Sequence, residues 1–528
     1  MKPRLLIFVI PILSFICSPV TAQTKPDEIF FVRQGVQRMI FDPHQSIPLS
    51  KLEPANIVGI IAMHPVKHHL IHPAILSVEE DKLVVSSREQ SVTSIWFGGF
   101  NPFATYTIDL DTLTGNGWVG FEFADGKEGE QVMVTLDFMN GLLDEVKFTA
   151  NGTFSGVSTD TSIWVNRSEK VEVKGKIILQ MLGSGLVLYH QSAGLPKVIG
   201  QVDFSQYIEL RSVERIQTYQ SNLIVGLRSG RAVIGRVEAA LTTGMGLADI
   251  RPITYEDGSP YLDRGRLWYT MSVRGRALPH HIQGVFSMNP TVFDVKLEGV
   301  ILFDRKDGLL RNEVASHIFY DRKASLWRGI TTGFSAYASP GKEKKQLLAV
   351  ESRHDPRFGF SVMNASAFGL VGDIEDPHIL YDEKVKKWRL LTCVNRDGYK
   401  AVLFESGSWN KDYKPIAGPV AHNSTGTSIQ RIDDKLYCFS GSSERQVYIY
   451  TYPDLQEAGT LKMDLPPWDD ASNTRVWPNV VQMPDGYPFK FVSLMMDRFN
   501  YPGIHGPNWT YGAIYLYHGF FKGKKISK

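Results

Sequence analysis

Short runs of β-branched and aromatic residues, broken by Gly, Asn, Asp and Pro, recur along almost the whole chain, while a sustained 3.6-residue apolar stripe is nearly absent. The pattern predicts an all-β protein. Between about residues 56 and 240 the runs at 82–86, 106–110, 132–138, 176–181, 187–190 and 222–227 read as strands of a β-sandwich of jelly-roll or lectin-like type. Nothing in this half points to chemistry.

After Gly244-Met245-Gly246 one pattern repeats: a polar start, a strand, a turn with Asp or Gly, then an aromatic strand. The copies begin near Asp249, Glu313, Glu375, Thr427 and Trp477, at steps of 64, 62, 52 and 50 residues. Each step has room for a four-stranded blade, so the reading is a five-bladed β-propeller over 245–520, preceded by the sandwich over 23–240. Trp268, Trp327 and Trp388 recur in the second strand of their copies and are expected between blades as core. Asp382, Asp433 and Asp434 fall at first turns and read as turn formers.

A chain of 528 residues is long enough for two or three domains. Lys2 and Arg4, an apolar run at 5–17 and small or tolerated residues up to Ala22 predict a secretory signal over 1–22, hence a secreted or periplasmic protein. Ile16 before Cys17 argues against a lipid-anchored form. A net charge of +2 gives no basis for nucleic-acid binding, and no later segment has the apolar length of a membrane span. After the signal only Cys393 and Cys438 remain, both in apolar strand-like runs, and they are expected as buried thiols. No Cys/His cluster has zinc spacing, no calcium loop is evident, and no cofactor is expected.

Innermost strands of a propeller converge, so polar residues at matching starts can face one another across the axis. Asp249, Glu313 and Glu375, or its neighbour Asp376, head the first three copies. Glycosidic cleavage needs one carboxyl to protonate the leaving oxygen and a second to activate water or attack carbon.

This spacing, with Glu375-Asp376-Pro377, resembles the five-bladed superfamily of glycoside hydrolase families 43, 62, 32, 68 and 117. The resemblance implies that Glu375 is the acid, in a Glu-x-Pro motif, that Asp249 is base or nucleophile, and that Glu313 stands where the family has a blade-two Asp. Two departures are visible. The family's first Asp usually adjoins proline, whereas this chain has Asp249-Ile250-Arg251-Pro252, and Glu313 follows Arg311 rather than matching the second Asp.

Arg and His crowd the same stretches: Arg251, Arg274, Arg276, His280, His281, Arg311, Arg353, His354, Arg357, His378, Arg475 and Arg498. Of these Arg251, Arg274, Arg311, His378 and Arg475 are candidate substrate contacts, either for an anionic sugar or as neutralisers of the clustered acids. Trp477 and the loop 499–509, with Phe499, Tyr501 and Trp509, are candidate sugar-stacking platforms. His317 and His378 occupy matching places and can be structural. The layout of sandwich before propeller is also similar to glycoside hydrolase family 143, whose members remove keto-sugar acids from pectic rhamnogalacturonan II.

The sequence therefore reads as a monomeric, exo-acting glycoside hydrolase of plant cell-wall oligosaccharides, with a uronic or keto-sugar acid as a possible target. A polysaccharide lyase acting on uronates and a non-catalytic glycan-binding protein are the alternatives. Asn151, Asn166, Asn364, Asn423 and Asn508 head Asn-x-Ser/Thr sites that matter only in a glycosylating host.

Overall fold

The computed structural model describes residues 25–52, 56–57, 70–71, 74–125, 130–154, 157–160, 171–276, 281–338, 341–469, 476–505 and 512–521. The signal segment, Asn166, His280, Arg475, Asn508 and Trp509 lie outside them. Among the described residues the chain is nearly all β, with a few 3₁₀ turns and one short α-helix, Val213–Thr218. No helix among them is long and apolar enough to cross a membrane.

The N-terminal half is one hydrogen-bonded sheet organised by two long strands, Thr105–Ala124 and Gln220–Leu241, paired antiparallel along almost their full length. Strand Gln131–Met139 pairs with the far half of the first long strand, and Gly175–Leu182 with its near half. Alternating Val119, Phe121 and Phe123 are wholly buried, as a strand with one core-facing side requires.

The C-terminal half is built of four-stranded antiparallel units. The first comprises Leu247–Pro252, Arg266–Arg274, His281–Met288 and Lys296–Asp304. Val314–Asp321, Leu326–Thr332, Gln346–Ser352 and Gly359–Val371 form the second, whose outer strand pairs in parallel with that of the first. The third runs from Ile374–Asp382 through Lys387–Asn395 and Tyr399–Ser406 to Lys414–Ala417, and the fourth from Thr425–Ile432 through Lys435–Gly441 and Val447–Thr451 to Glu457–Thr460.

The fifth departs from the sequence reading. Val481–Gln482, Phe491–Met496 and Ala513–Phe521 are completed on the outside by Ile29–Arg38, a strand from the stretch assigned to the sandwich. Its alternating Ile29 and Phe31 are buried in the core of this unit with Phe491 and Tyr517. The pattern before residue 40 shows an alternating strand, but pairing across the length of the chain leaves no local signal.

First strands touch in sequence order from the first unit to the fifth, and the second strand of the fifth, Phe491–Met496, returns to Leu247–Pro252, so the units close on one another. In each of the first four units the inner strand carries one extra residue against its partner, with left-handed backbone at Asp249 (φ 53°), Ala315 (φ 57°), Asp376 (φ 59°) and Gly426 (φ 60°). At Gly426 a side chain would strike the Trp477 ring 2.6 Å from its Cβ, so glycine is required there. Asp249, Ala315 and Asp376 hold the same conformation without that freedom, at a cost that the surrounding structure bears.

The halves share one apolar core, which holds Tyr106 and Phe121 together with Phe286, Val300 and Leu494. A smaller cluster packs Tyr501 and Met245 against Ile178, Val187 and Tyr189. Trp268, Trp327 and Trp388 are buried as expected of inter-unit core. Cys393 and Cys438 are buried and free.

The outer position of Ile29–Arg38 carries a consequence. Starting the chain after residue 38 removes the buried Ile29 and Phe31 side chains, worth about 1.5–3 kcal/mol each, and bares the edge of Ala513–Phe521. The truncated protein is expected to lose roughly 10 °C in Tm or to aggregate. Calorimetry and size-exclusion chromatography check this, and an unchanged Tm contradicts it.

Candidate active site

Inner-strand register defines which residues are equivalent. Asp249, Ala315, Asp376 and Gly426 match one another, and Glu375 matches Ala248, Val314 and Thr425. Two corrections to the repeat alignment follow: Glu375 sits one place before the position of Asp249, and Glu313 two places before its bulge residue. The bulge falls at the same place in each of the four strands, so the offsets lie in which position near the strand start carries the acid, and that is fixed by cross-strand register rather than by spacing.

Arg251 lies at the centre. Its guanidinium is 1 % exposed and donates to the carbonyls of Asp376 (2.8 Å) and Thr427, with its carbon 5.0 Å from the Trp477 ring centroid. Trp477 in turn donates from Nε1 to the Ile250 carbonyl at 2.7 Å. First, third, fourth and fifth units are thereby tied together. Burial lowers the Arg251 pKa, and Asp376, Cys393 and Asp249 oppose that shift. The structure therefore places Arg251 beneath the carboxylates and buries Trp477 at 4 % exposure as a strut.

Asp249 and Asp376 lie within electrostatic reach of each other and of Arg251. Asp249 accepts a 2.6 Å ion pair from Arg274. Asp376, 3 % exposed, accepts from Gly426 N (2.7 Å) and Thr425 Oγ1 (3.1 Å). Its pKa is raised to about 7, first by burial and then by the Glu375 carboxylate, with Arg251 opposing and Asp249 reinforcing. Glu375 itself ion-pairs with Lys345 at 2.7 Å.

Glu313 belongs to a neighbouring cluster. Wholly buried, it accepts from Ser335 N (2.8 Å) and Ser335 Oγ (2.6 Å); burial raises its pKa, and Ser335 and Arg311 oppose. Arg311 spends its guanidinium on Asp307 (2.5 Å), Glu343 (2.8 Å) and Ser335 Oγ.

His317 and His378 stack with centroids 4.0 Å apart. His317 Nδ1 accepts from Ile379 N at 3.1 Å, and its Nε2 lies 3.2 Å from Thr254 Oγ1. Both ring nitrogens of buried His378 are without a protein partner among the described residues. Burial, then Arg251, brings the His317 pKa down to about 3, and burial with His317 and Arg251 holds His378 well below its ordinary value. Both rings are neutral at pH 7. Among the described residues no group of three or more His, Cys, Asp or Glu is arranged to hold a metal ion.

The cluster around Arg251 also touches the N-terminal half through Arg274 and its neighbours. Gln180 donates to the Arg274 carbonyl at 3.0 Å, and Arg276 pairs with Asp203 at 3.0 Å. Tyr501 packs edge-on to Tyr189 and donates to the Pro196 carbonyl, so this part of the loop is an inter-half anchor. Arg357 lies elsewhere, on Asp355 and Asp263 between the Trp268 and Trp327 rings.

Sequence reasoning missed Lys345, Asp373 and Tyr399. Gly341-Lys342-Glu343-Lys344-Lys345 reads as a solvated charge run, and only the apolar run starting at Leu347 hints that a strand begins just past its last member.

No family model matches the chain, and no curated protein matches it. Among solved structures it is similar to the GH43_1 enzyme from Xanthomonas citri complexed with xylose, at 11 % identity and a TM-score of 0.37, over 51 % of this chain and 86 % of that one. The catalytic domain of a Coprinopsis cinerea GH62 α-L-arabinofuranosidase is similar at 10 % identity and 0.35, over 52 % and 90 %. An N-acetylgalactosamine deacetylase from F. plautii in complex with blood group B trisaccharide is similar at 10 % and 0.37, over 52 % and 90 %. At these values the likenesses assign this chain no activity.

Asp376 makes native stability depend on pH. Below about pH 4 native and unfolded chains both hold its proton; from there to about 7 only the native state does, so stability falls as pH rises, and above 7 the full penalty applies. Asp376→Asn should therefore gain stability relative to wild type between pH 4 and 8, by about 4 kcal/mol at most. Urea unfolding of both proteins at each pH checks this, since His317 and His378 act in the opposite sense in both. A difference independent of pH contradicts it.

Proposed function

We propose that the five units are the blades of a five-bladed β-propeller and that the chain is a glycoside hydrolase acting on terminal sugars of plant cell-wall oligosaccharides. The observation that carries this reading is the placement of Asp249 and Asp376 on register-matched bulges of inner strands beside one buried arginine, with the Glu375 carboxylate next to Asp376. Hydrolysis of a glycoside needs two carboxyl groups in different protonation states, and a buried carboxyl beside an anionic neighbour supplies that difference. Asp249 is the base or nucleophile, and the Glu375-Asp376 pair supplies the acid.

The N-terminal sheet is a sandwich that supports the mouth, and the protein is a secreted or periplasmic monomer cleaved near Ala22. The proposal does not extend to an acidic sugar. Arg274 and Arg311 each face a protein carboxylate and Arg251 two carbonyls, so these candidate anion contacts already have protein partners. The same occupancy weighs against a uronate lyase.

Purified protein is screened against pectic and hemicellulosic oligosaccharides and against aryl glycosides. Asp249→Asn is expected to slow natural and activated substrates alike by about 10²- to 10⁴-fold, because water activation or covalent attack is needed whatever the leaving group. Loss of the acid should spare activated substrates. Release of sugar by Asp249→Asn at the wild-type rate would sink the assignment.

A further inference from the structure

The pair Glu375-Asp376 presents two adjacent carboxyl groups, and the proposed hydrolysis needs a proton on one of them. Lys345 decides between them by geometry. Its ammonium has three donors, and all are committed: to Glu375 Oε2 (2.7 Å), Asp373 Oδ1 (2.6 Å) and Tyr399 OH (2.8 Å). The side chain is 6 % exposed, and Nζ also lies 5.0 Å from the Phe334 ring centroid and 5.1 Å from that of Tyr399. A buried ammonium is retained only where anions and hydrogen bonds compensate its desolvation.

Resting on the hydrolase reading, we propose that Lys345 is a positioning residue that keeps Glu375 as a fixed anion, so that the proton given to the leaving group resides on Asp376. This reverses the acid role that the Glu-x-Pro resemblance implies for Glu375. The groups facing this pair are Lys345, Tyr399, Asp249, Arg251 and Cys393. Lys345 and Arg251 are the cations among them, and only Lys345 touches the Glu375 carboxylate. Burial and the Glu375 charge both raise the Asp376 pKa, and the Asp373 and Glu375 carboxylates outweigh burial in raising that of Lys345. In the reaction the Asp376 O–H proton passes to the glycosidic oxygen as the C–O bond breaks, leaving the Asp376 carboxylate; water supplies the hydroxyl on carbon and returns a proton.

Difference infrared titration of the full chain, with ¹³C-labelled Asp and Glu in separate samples, tests this without any substrate. Wild type should show an Asp carboxyl titrating near neutrality that is lost in Asp376→Asn. Lys345→Met should add a Glu carboxyl that keeps its proton at neutral pH, and that band should vanish in Lys345→Met/Glu375→Gln. In Glu375→Gln the Asp376 midpoint should move to lower pH, a readout that stands even if Lys345→Met does not fold. No new Glu band in folded Lys345→Met, or an unmoved midpoint in Glu375→Gln, overturns the proposal. On a cleaved glycoside, Asp376→Asn should slow poor leaving groups about 10²-fold or more relative to activated ones; that dependence appearing in Glu375→Gln instead overturns it. Titrations as predicted in a protein that cleaves no glycoside would leave the charge assignment standing and remove the hydrolase reading.

Discussion

A guanidinium buried at the centre of the ring is the constraint on which this structure turns. Arg251 sits where inner strands of several units converge, and water cannot solvate it. Its N–H groups satisfy carbonyls of the third and fourth units, and its face rests on Trp477 of the segment leading into the fifth. Removing it would leave the Asp376 and Thr427 carbonyls without this donor and take a cation from beneath the acids, the kind of loss that costs several kcal/mol when one side of a buried charged network is deleted. The same charge lowers the cost of placing Asp249 and Asp376 nearby, so the site and the closure of the ring share one support.

Bulges then aim the acids. An extra residue in each inner strand forces a left-handed backbone at one position, and the four units resolve it differently: Ala315 with a small side chain, Gly426 with none, Asp249 and Asp376 with carboxylates. At the two aspartates the strain of order 1–3 kcal/mol persists because neighbours hold the backbone in place, including Gly426 N on the Asp376 carboxylate and Arg274 on Asp249. The outcome is chemical asymmetry within a repeated scaffold: an ion-paired Asp249, an ion-paired Glu375, and an Asp376 whose pKa burial and the Glu375 charge raise to about 7.

Much of this was legible in the chain because strand alternation and aromatic repeats are local signals. The all-β character, the turn-forming Asp382 and the buried tryptophans came from them. Asp249, Glu375 and Asp376 were read together with Glu313 because each lies at the head of a copy, and the structure moves Glu313 to a separate cluster on Ser335. Their division of labour was not legible. Arg251 and Trp477 read as substrate contacts because a polar or aromatic residue near the head of a copy looks the same in sequence whether it faces solvent or props up the ring. Lys345 was hidden in a charge run, and Ile29–Arg38 in a stretch far from its partner strand. Both depend on contacts across the fold that no spacing encodes.

The central claim is that Asp249 and the Glu375-Asp376 pair break a glycosidic bond by adding water. Reaction of the wild-type protein with a cleaved pectic or hemicellulosic oligosaccharide in H₂¹⁸O, followed by mass spectrometry of the released sugar, tests it most directly. The account predicts one ¹⁸O at the anomeric carbon of the released sugar, formed by wild type and not by Asp249→Asn. An unsaturated uronide carrying no ¹⁸O, or equal labelling by Asp249→Asn, would contradict it.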